Sequence, residues 1–225
     1  MTTGISPMGA NKNPCELTGT ILGYDPGGDG KHGVAFATCE KGVVTGCKFT
    51  TLRTAEQVIA ATADYTDLIA VGIDTLTCWS TGPSGWRPAD RWLKKRYKPI
   101  THSIASANSL FGSMGLNGMA VLLALRAGNP ALVVCETHPK VLHFALQGAK
   151  YDYGNNRSEM DKVLSRAISQ PINTSNDHEW DAAISVCAVL QGMAGRWSHD
   201  LHAIAPDPGE RIIEPCDTTY YWWPE

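Results

Sequence analysis

Three acidic residues sit directly behind short apolar runs. Asp25 follows Ile21-Leu22-Gly23-Tyr24, Asp74 follows Ile69-Ala70-Val71-Gly72-Ile73, and Glu136 follows Leu132-Val133-Val134-Cys135. If these runs are parallel neighbouring strands, all three acids fall along one edge of a sheet, where open α/β sheets place their sites. Carboxylates gathered this way repel, and one protonates unless a cation neutralises the group. An all-oxygen donor set suits Mg²⁺ or Mn²⁺. A fourth acid comes from His178-Glu179-Trp180-Asp181, where His178 and Asp181 stand at i, i+3 on one helical face. The set expected to hold metal is therefore Asp25, Asp74, Glu136 and Asp181, with His178 beside it as a proton shuttle or orienting group. Taken singly, each acid also fits a turn or cap, and Asp177 reads best as a first-turn acid favoured by the helix dipole.

A second group of residues is cationic. Residues 87–98 hold six cations and one acid, +5 in a chain whose net charge is -3, so the rest carries -8. Pro88 is placed to start a helix. On that helix Arg87, Arg91, Lys94, Lys95 and Lys98 share one broad face. Arg87, Arg91, Lys94 and Lys95 are the expected phosphate contacts, bringing nucleic acid beside the metals; the competing reading is a solvated surface helix. Trp79 and Trp86 fall in the stretch behind Asp74, where a base could stack. His138 and His143 read as packing or orienting residues.

These residues need elements to hold them. Residues 20–24 read as a strand and 26–30 as a Gly-rich turn. Residues 33–39 and 43–51 form a hairpin about Glu40-Lys41-Gly42, and Thr54 caps a helix that runs to about Tyr65. Strands follow at 67–73 and 131–135. Helices are expected at 88–97, 103–128, 139–147, 158–169 and 177–197, the last capped by Ser175, Asn176 or Asp177 and striped with Ala182, Ala183, Val186, Val189 and Leu190. The order predicts an α/β domain: a mixed sheet, three antiparallel strands and then parallel ones, with helices on both faces.

Composition narrows the class. The chain has 225 residues, 43% of them hydrophobic, and no apolar run long enough to cross a membrane. Seven cysteines with no C-x-x-C pair argue against a zinc ribbon and for a reducing, cytoplasmic setting. The expected organisation is a tail at 1–17, one domain at 18–200 and an extension at 201–225. The aromatic residues Tyr220-Tyr221-Trp222-Trp223 dock either on the body or on a second copy of the chain.

The ordered set resembles the RNase H-like superfamily, and His178-x-x-Asp181 resembles the end of some RuvC-type Holliday-junction resolvases. Several segments are similar to the predicted nucleases of the domain of unknown function 429 family: Gly23-Tyr24-Asp25-Pro26-Gly27-Gly28, Gly72-Ile73-Asp74, Arg87-Pro88-Ala89-Asp90-Arg91, Cys135-Glu136-Thr137-His138-Pro139 and residues 177–183. The resemblance spans about residues 18–197. It implies an RNase H-like fold and a nuclease that hydrolyses phosphodiester bonds with two ions. Asp25 and Asp74 would flank both ions, and Glu136 and Asp181 would each complete one. The sequence departs from the family at Lys140, where an acid is frequent, and at Thr75-Leu76, where an apolar residue and Pro are frequent. Both departures bear on the loops around the metals and so on the substrate.

Other classes compete. A non-catalytic RNase H-like scaffold or binding module would keep the acids as structure only. An actin-like domain would bind nucleotide phosphate at residues 25–30, but that arrangement clamps the ligand between two domains, and this chain would need a second copy. Gly28-x-Gly30-x-x-Gly33 formally matches a dinucleotide fingerprint, yet it runs into an alternating strand rather than opening a helix.

Overall fold

The computed structural model describes residues 17–108, 110 and 112–225. The tail expected at 1–17, with Cys15, lies outside the described residues except for Leu17. In chain order the elements are β1 (Gly19–Asp25), β2 (His32–Glu40), β3 (Val43–Leu52), α1 (Ala55–Thr62), β4 (Leu68–Ile73), β5 (Trp79–Ser80), α2 (Pro88–Arg96), α3 (Gly112–Gly128), β6 (Val133–Glu136), α4 (Pro139–Gln147), α5 (Tyr153–Ile168), α6 (Asp177–Met193), β7 (His199–Asp200), β8 (Ile212–Ile213) and β9 (Trp222–Trp223).

The principal sheet has the order β3-β2-β1-β4-β6. β1 runs antiparallel to β2 and parallel to β4, and β4 runs parallel to β6. This is the mixed sheet that the sequence predicts, an antiparallel opening followed by parallel strands. Lys41 and Gly42, with φ of 50° and 81°, turn β2 into β3. The Gly-rich turn leads into β2, so the dinucleotide reading lacks its helix.

Strand alternation divides the core. Leu22, Tyr24, Val71, Ile73 and Val134 point to the side covered by α1 and α3. Ile21, Ala70 and Cys135 point to the other, against α6 and the elements behind it. Helix α6 is buried from Glu179 to Leu190. Asn176 caps it by accepting the Glu179 N–H at 3.0 Å, and Asn176 also donates to Thr51 of β3 at 2.8 Å. Gly195, at φ 67°, follows its C-terminus, so the helix stops short of the expected Trp197.

Three glycines give α6 its seat. A Cβ on Gly33, Gly23 or Gly72 would lie 1.9, 1.9 or 2.3 Å from the carbonyl oxygens of His178, Ala182 and Ser185 respectively. The helix therefore rests on the sheet backbone to backbone, one turn per strand. Gly23→Ala should destabilise the fold by about 1–3 kcal/mol, because backbone cannot yield as a side chain does. Gly28→Ala, whose Cβ would meet nothing within 4 Å, should stay within about 0.5 kcal/mol. Urea midpoints of the two variants check this; equal midpoints would mean the helix is not fixed by the glycine seat.

One boundary differs from the expectation, and one alternative left open is decided. Helix α3 starts at Gly112 rather than near 103, and the preceding Lys98–Ser103 is a short 3₁₀ segment. Ser, Thr, His and Asn there favour turns over helix. The C-terminal stretch returns to the body: β9 pairs with β7, β8 pairs with β5, and Tyr220 exchanges backbone hydrogen bonds with Val134 and Glu136 along β6. The Trp222 ring lies over Gly192, where an added Cβ would fall 2.0 Å from it. The tail aromatics thus dock on the body.

Candidate metal centre

The seat of α6 decides what meets at the sheet edge. Asp25 and Asp74 stand at the ends of β1 and β4 in the same pleat phase as Gly23 and Gly72, and so face α6. The first turns of α6 bring His178 and Asp181 over them. One carboxylate oxygen from each of Asp25, Asp74 and Asp181 lies within 4.8 Å of the others. Asp25 and Asp181 are buried, and the Asp74 side chain is 16% exposed.

The electrostatics are those of a site lacking a counter-charge. Burial, then the nearby Asp25 charge, raises the proton affinity of Asp74 and Asp181 well above the carboxylate norm. Burial also raises Asp25, although His178 Nδ1 stands 2.7 Å from its Oδ2 and opposes the rise. The same hydrogen bond raises His178. Lys140 lies near enough for its charge to favour ionisation of all three acids, but among the described residues it forms no ion pair with them. Asp181 Oδ1 is buried, and the Tyr151 hydroxyl beside the carboxylate opposes its rise. An oxygen-only cluster of buried carboxylates fits a hard divalent cation.

Glu136 does not join this group, against expectation. It pairs in register with Ile73, not with Asp74, so the pleat puts it in the opposite phase. Its oxygens are already engaged. Arg87 donates to Oε1 at 2.5 Å and to Oε2 at 2.7 Å, and Thr77 donates to Oε2 through its N–H at 2.8 Å and its hydroxyl at 3.0 Å. Burial alone would raise the carboxyl, but the Arg87 charge reverses this and holds it well below the usual range.

Arg87 likewise leaves the phosphate-binding set. It is 1% exposed and grips Asp90 as well, at 2.8 and 3.0 Å. Pro88 starts α2 as expected, but Arg87 is its N-cap, and there its side chain folds inward. Arg91 is fastened to Glu210 at 2.7 Å and Asp207 at 3.2 Å. Lys94 lies 4.0 Å over the Trp86 ring. Lys95 is exposed and makes no ion pair among the described residues. The basic helix is thus mostly committed to the protein itself.

Cys78, Glu136 and His202 also bring ligand atoms within 4.8 Å of one another. Arg87 donates to both Cys78 and Glu136, so a dication there would meet a fixed cation. His202 supplies the second positive charge. Burial alone would discharge it, but hydrogen bonds to Cys78 and Glu136 push its pKa up to about 10. A folded value above the unfolded ~6.5 means a stabilising contribution that is complete below pH ~6.5 and is lost as pH rises towards 10. The fall in wild-type stability from pH 7 to 10 should therefore flatten in His202→Gln. Urea midpoints at pH 6, 8 and 10 check this, and parallel slopes would assign the loss to other groups.

His138, expected to pack or orient, sits with Nδ1 3.9 Å from Asp74 Oδ1, and that buried nitrogen makes no hydrogen bond among the described residues. A cavity of about 720 Å³ opens beside Asp74 and His138. Of the residues that line it, sequence reasoning named Asp74, Arg87, Glu136 and His138 but missed Tyr151 and Lys150, which lie in a loop without a spacing signal.

No family model and no curated protein matches the chain. Among solved structures, a Thermus thermophilus RuvC structure shares 16% identity, covering 78% of this chain and 96% of that one, with a TM-score of 0.45. A T. thermophilus RuvC in complex with Holliday junction substrate shares 11% identity, covering 79% and 96%, with a TM-score of 0.43.

Proposed function

We propose that the chain is a divalent-metal-dependent nuclease, with Asp25, Asp74 and Asp181 holding Mg²⁺ or Mn²⁺ and His178 beside them. The observation that carries the reading is the convergence of three carboxylates from β1, β4 and α6, one oxygen of each within 4.8 Å of the others. A bound divalent ion supplies charge neutralisation at a phosphoryl oxygen and an acidified water. Asp25 orients its ligand oxygen through the 2.7 Å bond to His178. Lys140 and Lys95 present charge to the phosphate backbone, which positions a strand without reading its bases. Glu136 and Arg87 act behind this surface as supports, not as ligands.

Nucleic acid is the partner in this reading, and the set of motifs around Asp25, Asp74 and Asp181 is the reason to place the chain near the predicted nucleases it resembles. Six free cysteines among the described residues suit a reducing compartment. No helix of the described residues is long and apolar enough to cross a membrane.

Mn²⁺ titration tests the reading against a metal-free scaffold. At a hundredfold excess over Kd, binding to the folded state adds about 2.7 kcal/mol, which raises Tm by roughly 5–10 °C for a chain of this size. Asp181→Asn should remove most of that rise. A wild-type Tm indifferent to Mn²⁺ would sink the proposal. A digest of labelled single-strand, duplex, hybrid and branched substrates then separates DNA from RNA and junctions from ends.

A further inference from the structure

The cavity beside Asp74 has a polarity that is not that of a general cleft. Its inner wall contains Arg87, Asp90 and Glu136, each at most 2% exposed. Every N–H of the Arg87 guanidinium is engaged by Asp90, Glu136 or Cys78, so no free cation is offered there. The remaining inner surface mixes apolar and neutral polar groups, with Ile100 and Ile104 buried, Tyr221 1% exposed, and Thr75 and Thr137 buried beside them. The exposed lining residues His102, Lys140 and Lys150 are all basic or protonatable, and none is ion-paired among the described residues. Charge attraction for an anion is thus confined to the mouth, where Asp74 also lies. The interior suits a neutral, flat, hydrogen-bonding group, with His138 Nδ1, which makes no hydrogen bond among the described residues, at its wall.

We infer that this cavity takes the base of a nucleotide whose phosphate lies at the mouth, between Lys140, Lys150 and the Asp25–Asp74–Asp181 cluster. Its volume lies within the range of small-ligand pockets. An anionic end outside and an uncharged heterocycle inside match its charge gradient, whereas a dianionic or fully apolar ligand matches only one half. In a strand, entry requires the nucleotide to leave its stack, as other enzymes that seat a single base require. The inference rests on the nuclease reading for the position of the phosphate. It goes further in making an unstacked nucleotide, and not duplex shape alone, the feature that is recognised.

The test uses the whole chain with Ca²⁺ for binding and Mn²⁺ for cleavage. Labelled single strands and bulged duplexes are compared with the same molecules carrying an abasic site at the unpaired position, and with free nucleoside monophosphates. Wild type should bind the base-bearing strand at least roughly tenfold more tightly than its abasic twin. Ile104→Trp, which fills the cavity, should erase that difference while leaving the Mn²⁺ rise in Tm intact. Lys150→Ala should weaken base-bearing and abasic strands alike. Saturable binding of the free nucleotide without strand discrimination would support the nucleotide pocket and assign a free nucleotide as its source. Equal binding of the two strands together with no binding of free nucleotide overturns the inference, with or without the Trp variant. Cleavage with neither base discrimination nor binding of free nucleotide would leave the nuclease reading standing and remove the pocket. Base discrimination without Mn²⁺-dependent cleavage would do the reverse.

Discussion

Arg87→Met should lower the stability of the fold by about 3–5 kcal/mol, the cost of leaving buried charge without its partner. Two carboxylates lose their counter-ion at once. Asp90 is held by Arg87 at 2.8 Å and Glu136 at 2.5 Å, and both acids are at most 2% exposed. Methionine fills much of the same volume, so the loss reports charge rather than a hole. Thr77 and His202 still reach Glu136, which keeps the figure from rising further. Urea unfolding at pH 7 measures it, with Lys95→Ala as a surface control expected within about 0.5 kcal/mol. A loss below 1 kcal/mol for Arg87→Met would show that the pair is not what holds α2 to the end of β6. The salt dependence of nucleic-acid binding, by contrast, should keep its slope, because a guanidinium sealed inside the protein releases no counterions from DNA.

Asp74→Asn should act in opposite directions on activity and on stability. Cleavage in Mn²⁺ should fall by about 10²–10⁴-fold, since loss of a ligand removes several kcal/mol of transition-state charge stabilisation. The metal-free protein should become more stable. Asp74 is raised by burial and by the Asp25 charge, so its ionised form is a strain in the folded state that the amide does not carry. Sites of this kind exchange stability for function. Activity assays and urea midpoints on one preparation decide it. A variant that is both inactive and destabilised would mean Asp74 is a structural residue, and an active one would remove it from the metal set.

The sheet was legible in the sequence because its signals are local. Alternation in residues 33–39 and 43–51, turn chemistry at Lys41-Gly42 and apolar runs before Asp25 and Asp74 each fix a strand without reference to the rest of the chain. The meeting of Asp25, Asp74 and Asp181 follows from parallel strands and one helix laid across them. Glu136 shows where such reasoning fails. It ends its strand as the other acids do, but the register of β6 on β4 sets it opposite Ile73. A shift of one residue turns a side chain to the other face, and a four-residue strand carries too little alternation to fix its own phase. Arg87 fails for a different reason. A run of cations looks like a surface, and only tertiary packing reveals that the first of them is sealed against Glu136 and Asp90. The cavity-lining loop around residues 98–108 had no periodic pattern at all, and a helix was expected across part of it.

The chain's last residues lie along β6 through Tyr220, cover α6 through Trp222 and form part of the cavity wall through Tyr221. A single nick by a protease in the exposed stretch at 205–211 would therefore act on three things together. It would uncover a sheet edge open to pairing with another molecule, strip the indole from its glycine and breach the cavity wall at Tyr221. Limited digestion should accordingly abolish ligand retention and solubility in step, on one time course, rather than one after the other.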